Sequence, residues 1–447
     1  MTAAATVDDL RPTRRRWTVP AGVAFVGGLL LAATHRLGGD MPGVLLRIHA
    51  FRHGDFVHLP QWFGGVPNLT YSILLAPLGA VLGVPLLAGV SAASTVAGVC
   101  VLGRRLSRMR FGLLATSAVV SSLATLAVGR VTYSSGTAFG IWAVVLMAGS
   151  ERRDTPSRPI ARLVGILLLA VLAGAASPVA GLFLAMTAAG HLLPSRRVAL
   201  AVAVGAASLA PTVAVNIAFA ADGGLALSLG AGLAIASLYA AVALASRSRS
   251  VRATALLGIL ATAGVTLVDT QVTYIVKRLP ETFGAPALAA TGRRVVSTAL
   301  VAVLVGWNLL SLRTGVTESG DGERNGAAFA PLVATLRDLG ATGTVEVVPT
   351  ALHWETWYVA KEFPIARGWE RQSDADHGPA FYDDTPLDAD EYRSWLAAEG
   401  VEWVALPRLE IDHAGAAEAA LLADPPPYLT EVSDDGLWTV WKVTLTP

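Results

Sequence analysis

Three short segments of this chain carry residues capable of chemistry, in a sequence that is otherwise strongly apolar. Residues 38–71, GGDMPGVLLRIHAFRHGDFVHLPQWFGGVPNLTY, concentrate Asp40, Arg47, His49, Arg52, His53, Asp55, His58 and Trp62. His49 and His53 have i, i+4 spacing, and two histidines on one helical face can chelate a divalent ion, although no HExxH motif accompanies them. Residues 269–280, DTQVTYIVKRLP, carry Lys277 and Arg278. A cation pair at a membrane face suits a lipid phosphate; snorkelling at a helix end would also put cations there. Residues 353–372, HWETWYVAKEFPIARGWERQ, are dense in aromatic rings and paired charges. Trp354, Trp357, Arg367, Trp369 and Glu370 are the candidates there for contact with a sugar acceptor. The competing reading is a domain that packs on the mouth of a helical bundle through Trp and Tyr.

The elements that must position these residues follow from composition. The chain has 447 residues, 53% of them hydrophobic and 15% charged. Soluble chains carry roughly a quarter charged residues, so an ordinary soluble enzyme and a disordered chain are both excluded. The net charge of +1 conceals two different bodies: residues 1–312 hold 25 Lys and Arg against 9 Asp and Glu, and residues 313–447 hold 9 against 24. Seven of the eleven Trp follow residue 312, and Cys100 is the only cysteine, so no intrachain disulfide can form.

Eleven apolar runs fall near 18–37, 84–103, 111–129, 137–150, 160–176, 179–193, 197–220, 224–245, 253–268, 280–292 and 295–312. The first follows RPTRRRW and reads as a transmembrane helix rather than a cleaved signal. Basic clusters at 14–16, 104–110, 152–162, 196–197, 247–252 and 293–294 occupy alternate gaps, so the positive-inside rule makes that side cytoplasmic. The expected layout is a cytoplasmic N-terminus (1–17), a transmembrane domain (18–312) with a large first outer loop (38–71), a linker (313–326) and an extracytoplasmic α/β domain (327–447). The protein is expected to be a multi-pass plasma-membrane protein. Within the first outer loop the apolar pattern over 44–51 suits a short amphipathic helix at the interface. The segment 72–83, interrupted by Pro77, suits a re-entrant or interfacial piece. Few ionisable groups lie within the spans, and no chain of buried carboxylates argues for proton-coupled transport.

In the acidic C-terminal part, helices are expected near 328–339, 388–400 and 415–423, and strands at 344–350, 401–407 and 437–445. No Walker motif, nucleophile elbow or Rossmann glycine pattern occurs in a suitable context. The acid excess gives no reason to expect nucleic-acid binding.

The order of features resembles the GT-C superfamily of polytopic membrane glycosyltransferases. The resemblance rests on an Asp just after the first helix (Asp40) and an Arg on the following juxtamembrane helix (Arg47). It also rests on the stretch GDFVHLPQWFGGVP (54–67), the segment YSILLAPLGA (71–80), and RLP before a late helix. It is closest to actinobacterial members, which are often labelled as transporters. The resemblance implies transfer of a sugar from a polyprenyl-phosphate donor to a cell-envelope glycan, lipid or protein acceptor on the outer face. By it, Asp40 would be the general base or a ligand of a divalent cation (Mg or Mn). Lys277 and Arg278 would bind the donor phosphate, with Arg47, His53 and Asp55 in supporting roles. The second acidic residue seen in many members has only Asp222 and Asp269 as nearest counterparts here. The alternatives are a noncatalytic transporter or flippase of lipid-linked glycan and a structural envelope-assembly protein.

Overall fold

The computed structural model describes residues 16–104, 106–149, 159–219, 227–268, 273–317, 326–382 and 385–444. Asp222 and Asp269 lie outside them, as does most of the expected linker. In chain order the helices are α1 (Thr18–Ala33), α2 (Met41–Arg52), α3 (Leu75–Leu82), α4 (Val84–Leu102), α5 (Arg108–Ala127), α6 (Val131–Gly149), α7 (Pro159–Ala176), α8 (Pro178–Leu192), α9 (Val198–Ala218), α10 (Leu229–Ala245), α11 (Arg249–Leu267), α12 (Arg278–Thr291) and α13 (Arg294–Thr317). Helices α14 (Ala330–Asp338), α15 (Glu355–Tyr358), α16 (Arg371–His377), α17 (Ala389–Ala398) and α18 (Ala416–Leu421) follow.

Each of the eleven apolar runs coincides with a helix. Seven of them (α4, α5, α6, α7, α9, α11 and α13) are long and apolar enough to cross a membrane. Helices α1, α8 and α10 are apolar but shorter. Helix α12, with 14 residues and an internal Pro286, rises only about 21 Å. It is packed among α5, α10 and α13, and a helix so enclosed need not match the bilayer thickness. Together these helices make a multi-pass membrane protein.

Short turns stack the helices antiparallel. At the α7–α8 junction Ser177 caps α8 by accepting from the Ala180 amide, with Pro178 at the first helical position. The last carbonyls of α7 would otherwise lack partners. The Ser72 hydroxyl donates to the Ala176 carbonyl at 2.7 Å, and the Ile73 and Leu74 amides donate to Ala175. This seats α3 on the bundle. Pro77 does not break α3, because it falls in the first turn, where a missing N–H costs nothing.

Helix α2 departs from the expected interfacial helix. It is buried on nearly every side, from Met41 through Ala50 with only Leu45 and His49 half-buried, between α3 and α15. The C-terminal part covers the face that the amphipathic pattern assigned to solvent.

That part is an α/β unit. Strands β3 (Thr344–Val347), β4 (Val401–Pro407), β5 (Leu429–Asp434) and β6 (Trp438–Val443) form a sheet of order β3-β4-β6-β5; β3 is parallel to β4 and the other pairs are antiparallel. A two-residue ribbon in the first loop, β1 (His58–Leu59) with β2 (Val66–Pro67), supports Trp62. Trp62 and Val345 each bridge Ile365, so the loop extends the register of the C-terminal sheet. One continuous core joins bundle helices, the first loop and the C-terminal unit, through Trp62, Phe63, Trp354, Phe363 and Ile365. A second, smaller core around Tyr392, Leu396, Val404 and Trp441 belongs to the C-terminal unit alone.

Candidate functional site

Asp40 occupies the N-cap position of α2, yet its side chain accepts no amide of that helix. An N-cap aspartate ordinarily spends its carboxylate on the N2 or N3 amide; this one is left for another partner. The Asp40 Oδ2 lies 3.6 Å from Nη2 of Arg278, the first residue of α12, and both side chains are about four-fifths buried. The turn carrying Asp40 nests against the α5–α6 turn. Gly129 has φ of +87°, and a Cβ there would come within 2.8 Å of the Asp40 nitrogen. Only glycine allows both the conformation and the approach.

Further charges surround this pair. Glu281, one turn into α12, meets Arg130 at 3.3 Å and Lys277 at 3.9 Å. Asn308 of α13 donates to the Glu281 carbonyl at 3.0 Å and to the Ser121 hydroxyl at 3.2 Å, which fixes the start of α12. Two carboxylates and three cations therefore share one end of the bundle, a net positive environment suited to a phosphate group. Tyr71 borders it. Burial, helped by the nearby Asp40 charge, pushes its phenol up to about 12, so it remains a neutral hydroxyl at physiological pH. A cavity of about 570 Å³ is lined at one place by Leu279 and Pro280, which follow Arg278 in α12. It continues between α6, α8, α10 and α12 as far as His191 and Ser250, with a predominantly apolar lining.

The structure brings Asp40, Lys277 and Arg278 together. It places the other candidates differently. His53 caps the far end of α2, twelve helical residues from Asp40, or about 18 Å, and Asp55 lies just beyond it. Neither can orient Asp40. The His53 ring stacks 4.1 Å from His49, and its Nδ1 meets the His49 carbonyl. Among the described residues no group of three His, Cys, Asp or Glu is arranged to hold a metal ion. Asp40 itself faces a guanidinium, a donor set ill-suited to Mg or Mn.

Trp354, in the core shared with the first loop and the bundle, and Arg367, inside the C-terminal unit, are both buried, which leaves little of either side chain for an acceptor. A guanidinium pointing inward must be paired, and Arg367 is: Asp374 accepts from its Nε at 2.8 Å, and Glu418 approaches at 3.4 Å. Burial and the adjacent Glu418 charge push Glu346, beside it, well above the carboxylate range. Trp357 stands at the His49 end of α2 with its ring edge-on, 5.8 Å away, far from Asp40. Arg47 is 1% exposed and pairs with Glu370. Its guanidinium lies 4.6 Å from the Tyr71 ring centre and 5.3 Å from that of Trp62. The Trp369 indole donates to the Gly39 carbonyl at 2.8 Å.

Sequence reading missed Arg130, Glu281 and Tyr71. The i, i+4 spacing of Lys277 and Glu281 was visible, but nothing in the sequence joins Arg130 to α12.

No protein-family model matches the chain, and no curated protein matches it. Among solved structures it is similar to ArnT from Cupriavidus metallidurans in the apo state, with a TM-score of 0.54 and 14% identity over 95% of this chain and 97% of that one. It is similar also to ArnT from Cupriavidus metallidurans bound to undecaprenyl phosphate, with a TM-score of 0.53 and 13% identity over 96% and 98% of the two chains. The chain has the ArnT fold. The expected fold class, a helical membrane bundle with a C-terminal α/β unit, is the architecture found. The match runs through both the bundle and the C-terminal α/β unit.

Proposed function

We propose that this protein is a membrane glycosyltransferase that moves a sugar from a polyprenyl-phosphate donor to a hydroxyl of a cell-envelope acceptor, at the outer face. The observation that carries the reading is the Asp40 carboxylate 3.6 Å from the Arg278 guanidinium, with the next residues of α12, Leu279 and Pro280, lining a mostly apolar cavity. A general base, a phosphate ligand and room for a prenyl chain are the three things this reaction needs. The ArnT fold, in a relative solved with undecaprenyl phosphate, supports the same donor class.

In the reaction the acceptor hydroxyl oxygen attacks the anomeric carbon and forms the new glycosidic bond. The bond from that carbon to the phosphate oxygen breaks, and its electron pair leaves with the polyprenyl phosphate. Asp40 takes the hydroxyl proton. Arg278 and Lys277 neutralise the charge that accumulates on the departing phosphate, where preorganised cations do most for the barrier. Glu281, held by Arg130 and Lys277, supplies the second carboxylate that the sequence did not place.

The test uses full-length protein in proteoliposomes with undecaprenyl phosphate and a panel of undecaprenyl-phosphate hexoses and pentoses, scored by released undecaprenyl phosphate. Asp40→Asn, which removes a negative charge from beside Arg278, should bind undecaprenyl phosphate at least as tightly as the wild type and release it roughly 10²- to 10⁴-fold more slowly. Arg278→Met should lose affinity for undecaprenyl phosphate, by about tenfold for one charge-assisted contact. Unchanged release by Asp40→Asn overturns the base assignment. Movement of the donor across the bilayer without release would establish the transporter reading instead.

A further inference from the structure

We infer that Trp369 and Glu370 of the C-terminal α/β unit are positioning residues for Asp40, so that this unit completes the reaction site. The catalytic consequence rests on the transfer reading above; the positioning itself does not.

Trp369 donates its indole N–H to the carbonyl of Gly39, the residue immediately before Asp40. The same ring is flush with the first turn of α2, where a Cβ on Gly43 would come within 2.9 Å of it. Its edge meets the Tyr71 ring, with centroids 5.5 Å apart. Glu370 pairs with Arg47, one turn further along α2. The Arg47 Nη1 also donates back to the Gly43 carbonyl at 3.2 Å. Glu370 keeps its second oxygen on Ser373, at 3.3 Å. The indole N–H of Trp369 and one carboxylate oxygen of Glu370 are therefore engaged on the segment that carries Asp40.

Asp40 is thus held by a backbone turn and by an indole. The α5–α6 turn at Gly129 presses from one side, and Trp369 holds Gly39 from the other. Its own carboxylate does not cap α2 but faces Arg278, so the seating of the turn itself is left to these contacts. Arg47 is the lever. A buried guanidinium deprived of its carboxylate is strongly destabilising, and because Arg47 lies on α2 the loss falls on that helix. A shift of about 1 Å in a reacting group costs roughly a hundredfold in rate, and α2 begins at Asp40.

The experiment compares Trp369→Phe, Glu370→Gln and Glu370→Asp in the full-length protein, with Arg337→Ala as a control on an exposed ion pair of the same unit. Two readouts are taken: undecaprenyl phosphate release, and amide hydrogen exchange over residues 38–46. We expect Trp369→Phe and Glu370→Gln to exchange faster over 38–46 while α8 keeps its protection. They should lower kcat by roughly ten- to a hundredfold with the donor KM little changed. Glu370→Asp, which keeps the charge, should recover part of both, and Arg337→Ala should match the wild type. Wild-type exchange over 38–46 in both Trp369→Phe and Glu370→Gln overturns the inference, as does a uniform rise in exchange across the bundle. Where Glu370→Gln fails to fold, Trp369→Phe, which keeps an aromatic ring while removing the donor and the second fused ring, decides. Should the wild type release no undecaprenyl phosphate from any donor, the transfer reading fails, and the exchange data alone uphold or overturn the clamp.

Discussion

At the scale of single residues, the site is defined by which charges are left uncommitted. Asp40 and Arg278 face each other without a tight hydrogen bond, whereas Arg47 and Arg367 are enclosed by their partners. Enclosure removes a cation from ligand binding even when its sequence context looks inviting. Glu281 lies between these cases, because its two cations could serve a phosphate instead. Replacing it with Gln releases Arg130 and Lys277 and removes a negative charge from the phosphate environment. Glu281→Gln should therefore bind undecaprenyl phosphate a fewfold more tightly, yet unfold at a lower temperature. The stability loss should be on the order of 3 kcal/mol for a mostly buried pair. Titration with undecaprenyl phosphate and a thermal melt on one preparation check both signs.

At the scale of elements, turns decide where the chemistry sits. Gly129→Ala adds a Cβ at positive φ against the Asp40 nitrogen, and should cost about 1–3 kcal/mol while slowing release. A melt and a release assay report the two effects together. In the C-terminal unit the loop at His353, itself at φ of +54°, is closed by charge. Burial opposes protonation of this imidazole, but the facing carboxylates of Asp412, at 3.6 Å, and Glu355, at 3.3 Å, outweigh it and raise it to about 9. Burial likewise opposes the Asp412 anion, yet His353, the Ala414 amide and Arg371 hold it well below its usual range. The signs follow. A group raised on folding stabilises fully below its unfolded value, near 6.5, and loses that contribution as pH rises through about 9. Asp412 loses its contribution only in acid. Melting temperature should therefore fall between pH 6.5 and 9.5, and His353→Gln should flatten that slope. The window corresponds to roughly 3 kcal/mol.

At the scale of the whole molecule, the charge asymmetry becomes an orientation. Cys100, the only cysteine, is buried in α4, so introduced thiols read out cleanly. With the basic gaps cytoplasmic, an impermeant maleimide should label Asp435→Cys, in the β5–β6 turn, on intact cells. It should leave Ser195→Cys, in the α8–α9 turn, unlabelled until the cells are opened. The reverse pattern would invert the proposed topology and place Asp40 on the cytoplasmic side.

The sequence alone determined the bundle. Eleven apolar runs, each bounded by charge or by Gly and Pro, became eleven helices, because in a bilayer a helix satisfies its own backbone and needs no partner to be legible. Strands β4 and β6 were readable for a similar reason, since alternation survives wherever one face is buried. Strand β5, Leu429–Asp434, was not, because an edge strand exposed along most of its length carries little apolar signal. Asp40, Lys277 and Arg278 could be named from residue type and place, but their approach to 3.6 Å could not. It depends on the Gly129 turn, on Asn308 fixing α12, and on Trp369 reaching back from 330 residues away. Only the tertiary structure could decide that Arg367 points inward, that His53 is a helix length from Asp40, and that Arg130 and Glu281 join the site. Such outcomes depend on which side chain finds a partner in the fold, and a side chain's partner is set by packing between elements, which local pattern does not encode.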